Sequence, residues 1–223
     1  MVDETSTLIL REGAKHCGVT LSDADVERFS LYIEELQRWS KIANLVSQTD
    51  TQTVIRKHIL DSLAIFPLIP RESRVLDLGS GAGFPGLILA ILGPSLDITL
   101  VEARRKRASF LKAVIRKTTL TNVRVYEGRA EKLVETVSFQ GTFNVVVTRA
   151  TWDLSEFLRL AAPCLREGGL ALAMKGPQGE KELTDSDTHF QDSGFTLLRI
   201  YQYGLPFGQE RRKVAVFIKE GFT

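Results

Sequence analysis

Cysteine, methionine and histidine are scarce in this 223-residue chain, at two, two and three copies. Cys17 and Cys164 form no CxxC, and His16, His58 and His189 lie far apart. Neither a disulfide framework nor a Cys/His metal site is therefore expected, and a reducing cytoplasm suits the composition. Long apolar runs are missing as well: none approaches the roughly 18 residues of a membrane span. The opening MVDETSTLIL carries acid where an export leader carries base. A dominant charge is also absent. Twenty-nine basic side chains against 27 acidic ones leave +2, which excludes a protein that coats polyanions indiscriminately. What is present, 43% hydrophobic and 25% charged residues, is the make-up of a soluble globular protein. A chain this long needs no cross-links to hold its core.

The small net charge conceals an uneven distribution. Residues 1–60 carry seven basic and nine acidic groups, residues 101–117 seven and one, and residues 199–219 five and one. A mildly acidic leading segment is thus followed by two basic stretches, and local patches decide electrostatic partners.

The first 65 or so residues read as helical. From Leu21, Val26, Phe29, Ile33, Leu36 and Trp39 recur at three- and four-residue steps, giving one apolar stripe. Ser22 and Asp25 have the spacing of an acidic capping box, and a second helix is expected over 51–65, before Pro67 and Pro70. The pattern then changes to short apolar runs at 74–78, 97–102, 123–127, 143–148 and 170–175. Helical patterns lie between and after them at 86–92, 104–117, 129–136, 153–166 and 178–192. Such alternation predicts a parallel sheet covered on both faces. Strands at 196–203 and 211–219, joined by GLPFGQE, predict a closing antiparallel hairpin. The expected architecture is α/β: a Rossmann-like, seven-stranded, mostly parallel sheet of the class I methyltransferase type. A helical cap is assigned to residues 1–68 and the methyltransferase domain to 69–223, packed as one unit.

Asp77-Leu78-Gly79-Ser80-Gly81-Ala82-Gly83-Phe84-Pro85-Gly86 follows the first strand. Small residues let the backbone turn tightly and approach a ligand beyond the carboxyl ends of the strands. Glu102 closes the next strand 19 residues after Gly83, placed to accept hydrogen bonds from ribose hydroxyls. Gly81-x-Gly83-x-x-Gly86 satisfies a dinucleotide fingerprint, and Gly79-x-Gly81-x-Gly83 satisfies an S-adenosylmethionine loop. The terminal hairpin and Gly128-Arg129-Ala130-Glu131 after the third strand favour S-adenosylmethionine.

The end of the fourth strand, Val147-Thr148-Arg149-Ala150-Thr151, has no Asn/Asp-Pro-Pro-aromatic motif for methylating an exocyclic amine. Cys164 falls inside the following helix and reads as a buried helical residue, not as the nucleophile that pyrimidine carbon-5 methylation requires. An acceptor that needs no base fits this lack. Guanine N7 has a lone pair and no proton, so catalysis reduces to alignment and exclusion of water.

Arg105, Lys112 and Arg116 share one face of the 104–117 helix. Together with Lys175, Arg211-Arg212-Lys213 and Lys219 they are candidates for RNA binding, though a solvated helix face would look the same. His58 and Asp61, three residues apart in KHILDSL, read equally as a local pair.

These residues resemble the bacterial 16S ribosomal RNA guanine-N7 methyltransferases, the glucose-inhibited division protein B family. The resemblance rests on Leu36-Gln37-Arg38-Trp39 with Asn44-Leu45, on Lys57-His58-Ile59-Leu60-Asp61-Ser62-Leu63, on the Asp77–Gly86 turn, on Thr148-Arg149-Ala150 and on Arg211-Arg212-Lys213-Val214. It implies methyl transfer from S-adenosylmethionine to a guanine of the decoding region, by direct displacement, without metal, covalent intermediate or general base. It implies cofactor contacts at Gly79, Ser80, Gly81, Phe84, Glu102, Ala130, Glu131 and Arg149, with Arg149 also the positioning candidate. His58, Asp61 and Ser62 then become part of the substrate wall. The partner implied is 16S rRNA or the small ribosomal subunit, with no obligate protein partner. Ser40 and Lys57 depart from the family's usual Asn and Arg, and lysine lacks arginine's bidentate geometry. A non-catalytic RNA- or ribosome-binding protein and a nicotinamide-dependent reductase are the alternatives.

Overall fold

The computed structural model describes residues 2–149, 152–175, 194–208 and 210–221. Helices come first: α1 (Glu4–His16), α2 (Asp23–Ala43), α3 (Thr51–Val54), a π-helical turn (Ile55–Ile59) and α4 (Leu60–Leu63). The capping box at the start of α2 is formed, with the Ser22 side chain accepting from Asp25 N–H and the Asp25 carboxylate accepting from Ser22 N–H. The helix expected over 51–65 carries one extra residue in its middle. Leu60 N–H donates to the Ile55 carbonyl, five residues back, a wider turn that often marks functional sites.

The sheet follows: β1 (Arg74–Leu78), α5 (Gly86–Leu92), β2 (Asp97–Glu102), α6 (Arg105–Lys117), β3 (Val123–Glu127), α7 (Ala130–Leu133), β4 (Phe143–Arg149), α8 (Leu154–Cys164), β5 (Leu165–Lys175), β6 (Phe195–Gly204) and β7 (Arg211–Lys219). The strand order is β3-β2-β1-β4-β5-β7-β6. β1 to β5 pair in parallel, while β7 is antiparallel to both β5 and β6. The terminal hairpin thus stands as the sequence pattern predicts. The expected helix over 178–192 lies outside the described residues. One boundary differs. The helix read to residue 166 ends at Cys164, just after Pro163, and the strand begins at once. Gly168, at φ +70°, lies in a bulge that shifts the β4–β5 register.

Side chains alternate across the pleat. Val75, Ile98, Val145, Val147, Val214 and Val216 face one layer, and it includes α1, α2, the 51–63 segment, α5 and α6. Leu76, Val101, Val146, Ala173 and Ala215 face the other, under α7 and α8. The leading helices therefore complete one face of the sheet's own core.

Candidate functional site

β1 and β4 are neighbours, but β2 continues from β1 in one direction and β5 from β4 in the other. At such a reversal the loops leaving the two strands separate and open a crevice. The glycine turn occupies it. Gly79, Gly81 and Gly83 all have positive φ, at 69°, 55° and 90°, a region that side chains disfavour. A Cβ on Gly86 would come within 2.6 Å of an Asp77 carboxylate oxygen. Without one, Gly86 N–H donates to Asp77 Oδ2 at 3.0 Å and ties the start of α5 to β1. Ser80 is buried and its hydroxyl donates to the Asp77 carbonyl.

Beside the turn lies a cavity of about 460 Å³, lined by Gly79, Glu102, Ala130 and Glu131 of the expected cofactor residues. Arg104, Arg107, Arg129 and Trp152 line it too. Glu102 is 5% exposed. Its Oε2 accepts from Gly81 N–H at 2.9 Å and its Oε1 from Arg104 N–H at 2.7 Å. These bonds fix the carboxylate and leave each oxygen a further lone pair.

A second cluster stands next to the cavity, on the face of the leading helices. Arg149 has the same pleat parity as Val145 and Val147, and Arg212 the same as Val214 and Val216, so both point to that face. There Arg149 Nη2 meets His58 Nδ1 at 3.0 Å, and its Nη1 meets Asp61 Oδ2 at 3.4 Å. Its guanidinium carbon lies 4.7 Å from the centre of the Phe84 ring. Tyr203 donates to Asp61 Oδ1 at 2.7 Å, with Arg212 Nε 3.9 Å from the same oxygen. His58 and Asp61 thus meet at Arg149. Burial, followed by the Arg149 charge, pushes the His58 pKa down to about 4, so the imidazole is neutral at pH 7. Burial raises the Asp61 carboxyl, against the opposing pull of Arg149.

A model of rRNA small subunit methyltransferase G matches residues 25–212. The chain belongs to that family. A ribosomal RNA small subunit methyltransferase G from Syntrophus aciditrophicus (strain SB) is 36% identical over 213 residues, 95% of this chain and 88% of the relative. Its counterpart from Desulfitobacterium hafniense (strain Y51) is 34% identical over all of this chain and 93% of its own. Among solved structures, a SAM-dependent methyltransferase from Aquifex aeolicus superposes with TM-score 0.58 at 18% identity, covering 81% of this chain and 97% of its own. M. jannaschii TYW2 in complex with AdoMet gives 0.53 at 16% identity over 69% and 73%. The fold is the class I methyltransferase fold.

In this methyltransferase G family member the basic candidates separate. Arg105, Lys112 and Arg116 are exposed on α6, with Lys112 paired to Glu127 at 2.7 Å. The tandem Arg211-Arg212 is split by the pleat. Arg212 turns inward to Asp61, while Arg211, with the opposite parity, is exposed. Lys175 is 7% exposed and donates to the Trp152 carbonyl. Ser62 is fully buried, its hydroxyl donating to the His58 carbonyl. Lys219 sits at the opposite edge of the sheet, donating to the carbonyls of Ala162 and Leu165 at the end of α8. Cys164 is buried and its thiol is pushed up to about 12 by burial, which suits a packing residue. The sequence reading missed Tyr32 and Tyr203. Tyr32 donates to the Ala82 carbonyl at 2.7 Å and lies edge-on to Phe84. A tyrosine in the buried stripe of a helix, needing a partner for its hydroxyl, was the available signal.

Proposed function

We propose that this chain transfers the methyl group of S-adenosylmethionine to N7 of a guanine in 16S rRNA, in the cytoplasm. The observation that carries the reading is a cavity at the carboxyl edge of the sheet together with a side-chain cluster at the end of β4. The cavity lies between the glycine turn and Glu102. The cluster is that of Arg149, His58 and Phe84. The cavity suits a nucleoside, because a prefixed carboxylate can accept ribose hydroxyls and glycines permit close backbone approach. When bound, S-adenosylmethionine supplies an electrophilic sulfonium methyl. The residues of the chain then have to align an acceptor and exclude water. Burial and the Arg149 charge leave His58 a weak base, and Asp61 is ion-paired behind Arg149. Guanine N7, which gives up no proton, is the acceptor such a cluster suits.

In this reading Gly79, Glu102, Ala130 and Glu131 hold the nucleoside, while Ser80 and Gly81 shape the turn. Phe84, His58 and Arg149 form the acceptor wall, and Asp61, Ser62 and Lys175 support it from behind. Arg105, Lys112, Arg116 and Arg211 meet phosphates. Residues 1–68 form a helical wall that folds as one unit with 69–223.

The test is incubation with methyl-labelled S-adenosylmethionine and unmethylated small-subunit particles or free 16S rRNA, followed by mapping of the labelled atom. Label at a single guanine N7 is expected. Label at another ring position would overturn the N7 assignment, and particle binding without transfer would make the chain a non-catalytic binder.

A further inference from the structure

We infer that Asp61, held by the Tyr203 phenol, is a positioning residue that fixes the Arg149 guanidinium at the acceptor side of the methyl-transfer site. The inference rests on the functional reading above and extends it to two residues that do not line the cavity.

Asp61 is 5% exposed. A carboxylate so far from water is tolerated only where partners replace its hydration. Its partners come from distant parts of the chain: Tyr203 on β6, Arg212 on β7 and Arg149 at the end of β4. Each oxygen has a separate task, with Oδ1 accepting from Tyr203 at 2.7 Å and Oδ2 facing Arg149 at 3.4 Å. The short bond is to the phenol, so Tyr203 fixes the carboxylate, and the carboxylate fixes Arg149 by charge. His58 Nδ1 and the Phe84 ring hold the guanidinium on two further sides. The contact to Nδ1 requires that nitrogen to be unprotonated, which places the imidazole proton on Nε2.

A packing role alone does not call for this arrangement. Buried ion pairs exchanged for apolar residues are often neutral or stabilising, and the surrounding layer is already apolar through Ile55, Ile59, Leu60 and Leu63. A guanidinium that must present its planar fork in one orientation does call for it. The charged and titratable groups facing Asp61 are Arg149, Arg212, Glu210, Tyr203, Cys17 just after α1 and His58 from its own segment. The phenol bond favours the ionised carboxylate. Protonation of Asp61 as pH falls would release Arg149.

Tyr203→Phe removes one hydroxyl and keeps the ring, which stacks on Tyr201 at 5.6 Å. The expected result is a fall of about 3- to 10-fold in kcat on the small-subunit particle. Affinity for S-adenosylhomocysteine should stay within about two-fold. The acid limb of the kcat–pH profile should move to higher pH. Asp61→Asn should lower kcat by about 10- to 100-fold and abolish the Asp61-dependent acid limb. Tyr201→Phe, which leaves the Asp61 bond intact, is the control. Unchanged kcat and acid limbs in Tyr203→Phe and Asp61→Asn would overturn the inference while wild-type transfer upholds the functional reading. A kcat loss that tracks only a loss of folded protein would also overturn it. Should Asp61→Asn fail to fold, Tyr203→Phe decides. Wild-type protein that transfers no methyl would overturn both readings.

Discussion

Asp77 and Glu102 are carboxylates at or near the ends of neighbouring strands, and hydrogen bonding gives them different characters. Both Glu102 oxygens accept backbone N–H groups, so its charge is built into the cavity. Asp77 is wholly buried, with Oδ2 accepting from Gly86 N–H and Oδ1 unpartnered among the described residues. Burial pushes the Asp77 pKa up to about 8. A folded-state pKa above the unfolded value means the folded protein holds a proton that the unfolded chain has lost. The associated stability is full below pH 3.8 and is lost as pH rises through about 8. His58 acts in the opposite direction. Its pKa falls from 6.5 to about 4, so its contribution is full above pH 6.5 and is lost towards pH 4. The window from pH 6.5 to 8 lies above the His58 range and includes the Asp77 loss, and the Asp77→Asn variant separates it from the Asp61 carboxyl, which burial also raises. Urea unfolding of the ligand-free protein should show stability declining by about 1–2 kcal/mol across that window. Asp77→Asn should flatten the decline, and a flat wild-type profile would refute the assignment.

At the scale of elements, α2 clamps the glycine turn. Its buried Tyr32 sends a hydroxyl to the Ala82 carbonyl at 2.7 Å and packs edge-on to Phe84 and tilted against Phe110. Tyr32→Phe leaves that carbonyl without its donor at nearly constant shape. Such a loss costs about 1–2 kcal/mol, which lowers the melting temperature by about 2–8 °C in a chain of this size. S-adenosylhomocysteine affinity should weaken with it, since the turn lining the cavity is loosened. Calorimetry of both quantities checks the clamp, and an unchanged melting temperature would count against it. The elements themselves were largely legible. RVLDL and DITLVE are short apolar-rich runs, too brief for a helix and suited to a doubly covered strand, and Ser22 with Asp25 announced the start of α2. The extra residue at Ile55–Ile59 was not legible. A π turn differs from an α turn by one hydrogen bond, and the apolar spacing of Ile55, Ile59 and Leu63 fits either. The early start of β5 was hidden likewise, because Leu165 suits both the end of a helix and the start of a strand. Least legible was the Asp61 cluster, whose carboxylate finds Arg149 and Tyr203 88 and 142 residues away. Spacing along one element can suggest that His58 and Asp61 share a face, but not what meets them there.

Over the whole molecule, strand order decides what the uneven charge can do. α6 packs against β2 and β3, whereas Arg211 opens β7 on the far side of β1, β4 and β5. With strands about 4.8 Å apart, β2 and β7 are separated by about 19 Å. The start of α6 and Arg211 therefore flank the carboxyl edge instead of merging, with the cavity between them. An RNA strand crossing that edge would meet phosphate contacts on either side of the site, which a near-neutral protein can offer without binding RNA everywhere. The three α6 candidates, Arg105, Lys112 and Arg116, are not equivalent. Lys112 is engaged by Glu127, while Arg116 makes no ion pair among the described residues. Counterion release predicts a slope of log affinity against log salt of about −0.7 per neutralised phosphate of single-stranded RNA. Arg116→Ala should then flatten the slope by about 0.7, and Lys112→Ala by less. The triple variant with Arg105→Ala should flatten it by at most about 2. Filter binding of a decoding-region RNA fragment at several salt concentrations measures each value. An unchanged slope in the triple variant would return α6 to a solvated face and leave Arg211 and the site cluster as the RNA contacts.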